Sequence, residues 1–551
     1  MLNRLLRIAV PMLLVLSVSA VGEARPASGP QVRQVTPMNL GDTRGTMRPP
    51  SDLPLGHWAY PLLERLVARG ILDLDLTTRP VSRRAVATAL NKRQSSAGAS
   101  RDVPDLTKRE TWALLRLSAE FLRGKVDRQT LGVRERKASV AVGIDLGTGI
   151  LGEWGESREA ASASGALLQS AEGVSSDDGV RPWIDASYEL WGGVDGLFGV
   201  YSQTDIVLAG QDGPRIVELS ERARSWRGIT ASAERAYVMV ERPHFAVALG
   251  RRGPAWGRST DGGLLISGNA PSFDQLDARF EVGSFAFHAL HAMLEYRTIG
   301  TEEDLTADER VYMAGHRVVV RSQRASVGLS EVVVYGSHLP DPVYLNPLVP
   351  YYLAQHNERA NDNIFWSLDF DWRTGGGTEV YGEFLVDDLM YERYSEHPDK
   401  YGFTLGSAYY GTIHGFDLEL EAEYSHVRKW TYTHGFVEHR LEHDGVPVGF
   451  ELGPDADRIT LSATVHPSFP WALGVRYAHS RQGEGSIESP FENGESYEPE
   501  FPSGRVVETD RIAVTLDYAN LAGRFGQLGT AYERVEGDDD WKVWISFGFR
   551  I

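Results

Sequence analysis

The chain ends with the segment VWISFGFRI, residues 543–551. Its residues form two alternating sets: Val543, Ile545, Phe547, Phe549 and Ile551 are apolar, and Trp544, Ser546, Gly548 and Arg550 lie between them. Successive side chains of a β-strand point to opposite faces, so one face of this segment is apolar up to the last residue. Soluble sheets avoid such flat apolar edges because they aggregate. The segment therefore predicts the last strand of a transmembrane β-barrel.

The same alternation recurs from about residue 131 to the end of the chain. Apolar residues hold every second position in residues 140–146, 416–424, 471–477 and 512–518. The other positions of 416–424 carry full charges: Asp417, Glu419, Glu421 and Glu423. A charged face suits the lumen of a barrel whose other face meets lipid. A soluble sandwich or propeller is the competing architecture, but the sequence has no blade-length repeat.

These patterns predict a mainly β fold, with a large antiparallel transmembrane β-barrel in residues 131–551. At roughly 20–25 residues for each strand with its loop, this length allows about 16–20 strands, most simply an even number. No helical stretch is expected between the strands. Residues 543–551 also resemble the terminal strand that the outer-membrane barrel assembly machinery reads. That machinery and outer-membrane lipid are therefore expected partners.

Residues 1–24 have the pattern of a secretory signal peptide. Arg4 and Arg7 precede a short apolar run, and small residues follow, so cleavage is expected after Ala20 or Ala24. The run has about half of the ~20 residues that a spanning helix requires. Residues 25–51 are rich in Pro, Gly, Ser, Thr and Gln and are predicted to be a flexible leader. The mature protein is therefore expected to be exported.

Residues 52–124 are predicted to form a bundle of three helices. The first lies in HWAYPLLERLVAR, residues 57–69, and Gly70 is a suitable C-terminal cap. Ser82 can cap the second helix, and Thr107 with Glu110 forms a capping box for the third. The pattern of residues 57–90 resembles a single S-layer-homology-type repeat, a module that can bind cell-wall polymers. A small bundle packed against the following domain is the alternative to wall binding.

The composition excludes several classes of protein. A formal net charge of −19 argues against a nucleic-acid binder, and the absence of cysteine excludes disulfides, thiolate metal sites and cysteine nucleophiles. Neither a P-loop nor a Gly-x-Ser-x-Gly elbow is present. His439 and His443 lack the spacing of a zinc site. The sequence therefore predicts no enzyme, no cofactor and no metal site.

Three segments carry a resemblance to a known family. They are GRRGPAWGRSTDGGLLISGNAP (residues 250–271), an Asn-Pro turn leading into the next strand, and the strand end YGEFLVDD (residues 381–388). Their motif residues are Gly250, Gly257, Asn346, Pro347, Asp387 and Asp388. In this order, and with the signal peptide and the terminal strand, they make residues 52–551 similar to the capsule assembly protein Wzi family.

The resemblance implies an outer-membrane barrel of about 18 strands with the helical bundle at its periplasmic end. It also implies a lectin-like protein that attaches capsular or extracellular polysaccharide to the cell surface without catalysis. A porin that passes small solutes is the competing function, since a large polar lumen fits both. The helical unit could in either case tether the barrel to the cell wall.

Four residues of the 250–271 segment are the candidate polysaccharide ligands: Arg251, Arg252, Trp256 and Arg258. Arginine pairs bidentately with carboxylates, which acidic surface polysaccharides carry, and Trp256 could stack on a sugar ring. Alternatively, the arginines neutralise lumenal carboxylates such as those of residues 416–424 and hold the barrel in shape. Asp387 and Asp388 are not expected to act as an acid/base pair, because adjacent residues of a strand face opposite sides.

Overall fold

The structure is a computed structural model of the chain. It describes residues 50–96, 106–122, 132–134, 138–155, 179–194, 197–209, 225–226, 229–259, 261, 263–299, 307–358, 361–388, 398–468, 470–492, 494–520 and 524–550. The predicted signal peptide (1–24) and nearly all of the predicted leader (25–51) lie outside these residues. In the described part of the chain, no helix combines the length and the apolar character needed to cross a membrane.

Three helices form the N-terminal part, as the sequence predicts: α1 (Ala59–Ala68), α2 (Arg83–Ser96) and α3 (Lys108–Phe121). Ser82 Oγ accepts the Ala85 N–H (3.0 Å) at the start of α2. Thr107 and Glu110 form the expected capping box on α3. Gly70 follows α1 at a positive φ of 69°, a conformation that favours glycine. Residues 50–96 and 106–122 are called the helical unit below, and cell-wall binding by this unit stays a prediction.

In the described residues, 18 antiparallel strands close into a barrel, which confirms the predicted fold class. The strands are β1 (Ala138–Gly155), β2 (Gly179–Val194), β3 (Phe198–Ala209), β4 (Ile229–Arg242), β5 (Phe245–Arg252), β6 (Phe273–Val282), β7 (Phe285–Ile299), β8 (Ala307–Arg321), β9 (Ala325–Ser337), β10 (Asn363–Arg373), β11 (Thr378–Asp388), β12 (Lys400–Ile413), β13 (Phe416–Val427), β14 (Ala456–His466), β15 (Trp471–Gln482), β16 (Val507–Ala519), β17 (Arg524–Val535) and β18 (Asp538–Arg550). Each pairs with its neighbours in the chain, and β18 pairs with β1.

The terminal segment closes the barrel. Ile545 lies opposite Ile150, and Phe549 lies opposite Leu146, in the register of β18 with β1. Phe547 and Phe549 are exposed on the outer wall, whereas Trp544 is buried on the opposite face. The alternation of residues 543–550 therefore sorts lipid-facing from lumen-facing side chains, as the sequence predicts.

The two ends of the barrel differ in the length of their connections. At one end the strands are joined by short turns: 194–198, 242–245, 282–285, 321–325, 373–378, 413–416, 466–471 and 519–524. At the other end they are joined mostly by longer segments: 155–179, 209–229, 252–273, 299–307, 337–363, 388–400, 427–456 and 482–507, with the hairpin 535–538. We call these the short-turn end and the long-loop end.

One expectation about the strands is wrong, because helix α4 (Tyr351–Glu358) lies between β9 and β10. The helix has only eight residues, which is too short for a helical period to stand out in the sequence. Tyr351 and Ala354 share one face of α4 and are buried, and the backbone N–H of Tyr351 donates to the Glu331 carboxylate (2.9 Å). Tertiary contacts thus stabilise a helix that the local sequence does not predict.

Candidate functional site in the barrel lumen

The helical unit enters the barrel at the short-turn end and contacts opposite walls. A Cβ atom on Gly199 of β3 would lie 2.1 Å from the Pro50 carbonyl oxygen, so the two backbones touch there. Arg65 of α1 donates to Asp417 Oδ1 (2.6 Å) and to the Gly411 carbonyl oxygen (3.4 Å), at β13 and β12. Since β3 and β12 are half a circuit apart, the helical unit spans the diameter of the barrel.

A second element fills the lumen from the long-loop end. Residues 253–272, called the lumenal segment, leave β5 and fold inward, with residues 260 and 262 outside the described chain. The pair Ala255–Trp256 forms a two-stranded sheet with Thr78–Arg79 of the helical unit. Leu264, Leu265 and Ile266 are each 1% exposed and belong to an apolar cluster with side chains from β7 to β11. The apolar residues 264–266 of the lumenal segment therefore form part of a hydrophobic core inside the barrel.

Asp261 ties the lumenal segment to the far wall. Its carboxylate accepts hydrogen bonds from Arg476 and Thr460, and Arg458 Nε lies 3.4 Å away. These residues lie on β14 and β15, about half a circuit from β5. Burial alone would raise the pKa of Asp261, but the two guanidinium groups hold that pKa below its ordinary value of 3.8. The segment is thus fixed at both ends of its path across the lumen.

Arg252 points into the lumen and joins the barrel to the helical unit. Its guanidinium group donates to Asp52 and lies 2.9 Å from Asp277 Oδ1 of β6. Tyr237 lies beneath it, with 5.3 Å between the guanidinium carbon and the ring centroid. Arg252 is almost fully buried among these groups. The geometry favours the structural alternative for this arginine.

Arg258 lies deeper and faces several acidic side chains. Its Nη2 is 3.0 Å from Glu379 Oε2 and 3.9 Å from Glu64 Oε2, and its Nη1 is 3.8 Å from Glu421 Oε1. It also donates to the Tyr410 hydroxyl (3.1 Å). Burial alone would lower the pKa of Arg258, yet the carboxylates, Glu379 foremost, raise it well above its ordinary value. The Glu421 contact matches the alternative in which an arginine neutralises residues 416–424.

Arg251 faces the other way, so the three arginines do not form one cluster. It shares the outer face of β5 with the exposed residues Val247 and Leu249. Its Nη2 is 2.9 Å from Asp274 Oδ2 on the same outer wall. Trp256 is 4% exposed beneath Gly315, where a Cβ atom would lie 3.0 Å from the indole ring. Direct polysaccharide contact by these four residues stays a prediction that the structure does not test.

A paired substitution separates the two roles of the arginines. Arg258→Ala leaves Glu379 buried without this cation, and we expect it to cost about 3–5 kcal/mol of unfolding free energy. Arg251→Ala removes one half-exposed ion pair and should cost less than about 1 kcal/mol. The measurement is the temperature at which the barrel unfolds in detergent. Heat-dependent migration on gels reports the fraction that is still folded. Equal shifts for the two variants would contradict this assignment.

Arg65 and Arg317 are among the buried arginines that sequence reasoning missed. Arg317 of β8 pairs with Asp369 of β10 and donates to the Thr77 carbonyl oxygen (3.3 Å) in the helical unit. Arg65 pairs with Asp417 as described above. Neither belongs to a motif. Arg65 lies at the polar edge of an amphipathic helix, and Arg317 lies in an alternating strand, so nothing local marks either as buried.

The motif glycines have steric reasons to be glycine. Gly250 has a φ of 131°, and a Cβ atom there would lie 2.3 Å from the Ala236 carbonyl oxygen of β4. Gly257 has a φ of 100°, and its Cβ would lie 3.2 Å from Glu383 Oε2. Glu383 in turn accepts the Leu264 N–H (2.8 Å). These residues shape the entry and the path of the lumenal segment.

The long-loop end is closed over the lumenal segment by residues 428–455, called the capping segment. The Tyr432 hydroxyl donates to the Leu264 carbonyl oxygen (2.6 Å), and the Ser267 N–H donates to the Val448 carbonyl oxygen (3.0 Å). Asp387 Oδ2 accepts the Tyr432 N–H (2.7 Å). Asp388 instead lies opposite Lys400 in the strand register, after a bulge. The strand-end aspartates therefore have separate structural surroundings.

Aromatic side chains join the capping segment to the loop between β15 and β16. Trp430 meets Phe491 edge-on with ring centroids 5.1 Å apart, and Phe491 meets Tyr497 at 5.3 Å. Lys429 Nζ lies 4.9 Å from the centre of the Trp430 ring and 3.6 Å from Glu495 Oε1. Tyr497 is exposed. In this group, called the aromatic group, Trp430 is buried and Tyr497 carries an exposed ring close to charged side chains.

One set of histidine and carboxylate side chains in the described residues has the spacing to hold a metal ion. The ligating atoms of Glu295, His443 and Asp444 lie within 4.8 Å of one another. The Asp444 N–H donates to Glu295 Oε2 (2.9 Å), and His443 Nε2 lies 3.7 Å from Asp444 Oδ2. His439 lies apart, 3.7 Å from Asp362 Oδ1. The two histidines therefore lie beside different carboxylates and do not form one site.

Asn346 and Pro347 form the expected turn. Asn346 Oδ1 accepts the Leu348 N–H (3.2 Å), and the Asn346 carbonyl oxygen accepts the Val349 N–H (3.2 Å). The turn leads into α4 before β10 begins. It lies outside the lumen, so this motif and the 250–271 motif do not meet in one site.

Comparisons with known proteins agree with the fold. The sequence model of the capsule assembly protein Wzi family matches residues 154–539. Wzi of Escherichia coli, an outer membrane protein involved in group 1 capsule assembly and a carbohydrate-binding β-barrel, has a similar structure with a TM-score of 0.59. The two chains are 14% identical, and the likeness covers 90% of this chain and 97% of that one. At this identity the likeness shows the fold.

Some other solved outer-membrane barrels are less similar to this chain than the Escherichia coli protein is. OccD3 (OpdP) of Pseudomonas aeruginosa is 10% identical with a TM-score of 0.42, covering 77% of this chain and 93% of that one. No curated protein sequence matches the chain. The family match, which extends over more than half of the sequence, is decisive: this chain belongs to the capsule assembly protein Wzi family.

Proposed function

We propose that this protein is an outer-membrane, lectin-like barrel that attaches capsular or extracellular polysaccharide to the cell surface and does not catalyse a reaction. The observation that carries the proposal is family membership over residues 154–539, which include most of the barrel. The carbohydrate binding of the Escherichia coli protein with the same fold supports the same substrate class.

The orientation follows from the two ends of the barrel. Bacterial outer-membrane barrels place short turns in the periplasm and long loops outside the cell. The helical unit contacts the short turns, for example where Arg69 Nη1 donates to the Gly376 carbonyl oxygen (3.3 Å). We therefore place the helical unit at the periplasmic end and the aromatic group at the cell surface.

The contents of the lumen argue against the competing porin function. The helical unit spans the diameter between β3 and β12, and the lumenal segment crosses from β5 to β14. A porin of this size keeps a water-filled path through its lumen. Two elements that cross the same lumen from opposite ends obstruct such a path.

The aromatic group is the proposed polysaccharide contact. Flat aromatic faces suit the apolar faces of sugar rings, and nearby carboxylates can accept hydrogen bonds from hydroxyl groups. Tyr497 is exposed at the long-loop end. Glu495 is two residues away in the chain and pairs with Lys429, which lies over the Trp430 ring. The arginines of the 250–271 segment would act indirectly in this account, by holding the segment beneath the long loops.

The function is tested in cells that lack the protein. We expect them to release surface polysaccharide into the medium, and the wild-type chain should restore retention. Tyr497→Ala combined with Phe491→Ala should restore much less, with equal protein in the outer membrane and unchanged heat stability. Trp541→Ala, which removes an exposed aromatic ring from the outer wall of β18, is the matched control and should restore retention.

Two results would contradict the proposal. If cells that lack the protein kept their polysaccharide attached, the proposed attachment function would be ruled out. Full retention by the Tyr497→Ala, Phe491→Ala variant would leave attachment standing but would move the contact away from the aromatic group.

A further inference from the structure

The outer wall of the barrel is covered near the long-loop end of β9. Val327 and Leu329 point outward from β9 and are 47% and 48% exposed. Glu331, Val333 and Tyr335 share that face by the two-residue period of a strand, yet each is at most 2% exposed. The neighbouring strand β8 repeats the pattern, with Val320 exposed and Tyr312 buried on the same face. Something other than lipid therefore covers this part of the wall.

The cover is the chain between β9 and β10. Residues 338–362, called the outer-wall segment, contain the Asn-Pro turn and α4, with residues 359 and 360 outside the described chain. Its side chains Tyr344, Tyr351 and Ala354 pack in one apolar cluster with wall residues Tyr312, Ala314, Val333, Tyr335 and Ile364. The loop thus folds back along the outside of the barrel.

A buried carboxylate anchors this segment. Glu331 faces outward from the middle of β9 and accepts the N–H groups of Tyr351 and Tyr352 (both 2.9 Å) at the start of α4. His316 Nε2 of β8 lies 2.9 Å from the same carboxylate. A carboxylate on an outer wall would be costly in lipid, but the N-terminus of a helix stabilises it. The anchor fixes α4 at the level of mid-strand.

The outer-wall segment exposes a group of large apolar side chains on its side away from the barrel. Its exposed apolar side chains include Leu339, Leu345, Leu348, Tyr352 and Leu353. Exposed polar residues lie among them: His338, Asn346, His356, Asn357 and Asn361. Leu348, directly after the Asn-Pro turn, is 79% exposed, which is the largest value among the exposed apolar side chains described. Apolar surface of this extent marks a contact with lipid or with another protein.

The height of the bare wall indicates which of the two it is. The uncovered part of β9 is residues 325–330, whose six residues rise about 20 Å along the strand. With a strand tilt of about 40°, this gives roughly 15 Å along the barrel axis, against an apolar band of about 25 Å in such barrels. The missing height corresponds to the part of the wall that the outer-wall segment covers, and this segment has exposed leucines of its own.

We propose that the outer-wall segment is a lipid-binding surface, on which Leu348, Tyr352 and Leu353 contact the acyl chains of the leaflet on the long-loop side. It completes the apolar belt over β8, β9 and β10, where the strands themselves are covered. This inference goes beyond polysaccharide attachment and does not depend on it. A second copy of the chain on the same face is the alternative occupant.

Site-specific labelling tests this directly, because the chain contains no cysteine. Leu348→Cys and Leu353→Cys would each carry a fluorophore on the full-length protein in phosphatidylcholine vesicles. Leu329→Cys, on the bare belt, is the lipid-facing control, and Tyr497→Cys, on the long-loop face, is the water-facing control. The quenchers are bromine atoms on the lipid acyl chains and iodide in the water.

We expect the labels at residues 348 and 353 to be quenched by brominated lipid to nearly the extent seen at residue 329. Their quenching by iodide should be several-fold weaker than at residue 497. Quenching by iodide at the level of residue 497 would overturn the proposal. So would poor quenching by both agents together with cross-linking of two chains through residue 348, which would identify a second copy as the occupant.

Discussion

Replacing Arg65 by alanine is expected to lower the free energy that holds the helical unit in the barrel by about 3–5 kcal/mol. Arg65 is fully buried, and its guanidinium group lies 2.6 Å from Asp417 Oδ1 and 3.7 Å from Glu110 Oε1. Without it, Asp417 stays buried and loses this cation, whereas Glu110 keeps Arg69, whose Nε lies 2.8 Å from Glu110 Oε1. Amide hydrogen exchange in α1 should therefore accelerate strongly, while the exchange of strands remote from α1 stays slow.

The control for Arg65→Ala is Lys92→Ala, which removes an exposed ion pair with Asp73 on the same helical unit. It should change stability by less than about 1 kcal/mol. Because Arg65 and Asp417 interact directly, Arg65→Ala with Asp417→Asn should cost less than the sum of the single variants. Additive costs would contradict the assignment of Arg65 as the clamp of the unit.

Removing residues 52–122 is expected to convert the barrel into a conducting pore. The helical unit spans the lumen, and its Thr78–Arg79 strand pairs with Ala255–Trp256 of the lumenal segment. Deletion removes the first obstruction and frees one side of the second. Since an 18-strand barrel without a plug leaves an aqueous channel, we expect single-channel conductance in planar bilayers to rise about tenfold or more.

The wild-type chain is the comparison for this deletion, and both proteins must first show the heat-dependent gel migration of a folded barrel. Steady porin-sized conductance by the wild-type chain would contradict the obstructed lumen and would restore the porin function as the better account. Unchanged low conductance after deletion would show that the lumenal and capping segments alone close the path.

The barrel could be predicted from the sequence because its signals are local. Alternation with a period of two, as in residues 416–424 and 543–550, reports the lipid-facing side directly. The caps at Ser82 and Thr107 are likewise satisfied within a few residues, and both were predicted correctly. Total length then set the range of strand numbers.

The interior could not be predicted, because its contacts join distant parts of the chain. Arg252 bonds to Asp52, and Arg258 to Glu379, across 200 and 121 positions. Three arginines close in sequence suggested one basic cluster, yet Arg251 and Arg252 face opposite sides of β5. The sequence predicts the Asn-Pro turn but not its position outside the wall. That position depends on Glu331, and nothing in the local sequence distinguishes Glu331 from a lumen-facing charged residue of a strand.

The position of the seam between β1 and β18 has a consequence for the order of assembly. The ion pairs of the helical unit with Arg252 of β5 and Asp417 of β13 lie away from this seam. A curved sheet with an open seam could therefore already hold the unit in place. Since the unit precedes β1 in the chain and is held by strands away from the seam, we expect docking to come first and pairing of β18 with β1 to be the final step. The strands would then close around the helical unit, so the folded unit would not have to enter a closed barrel.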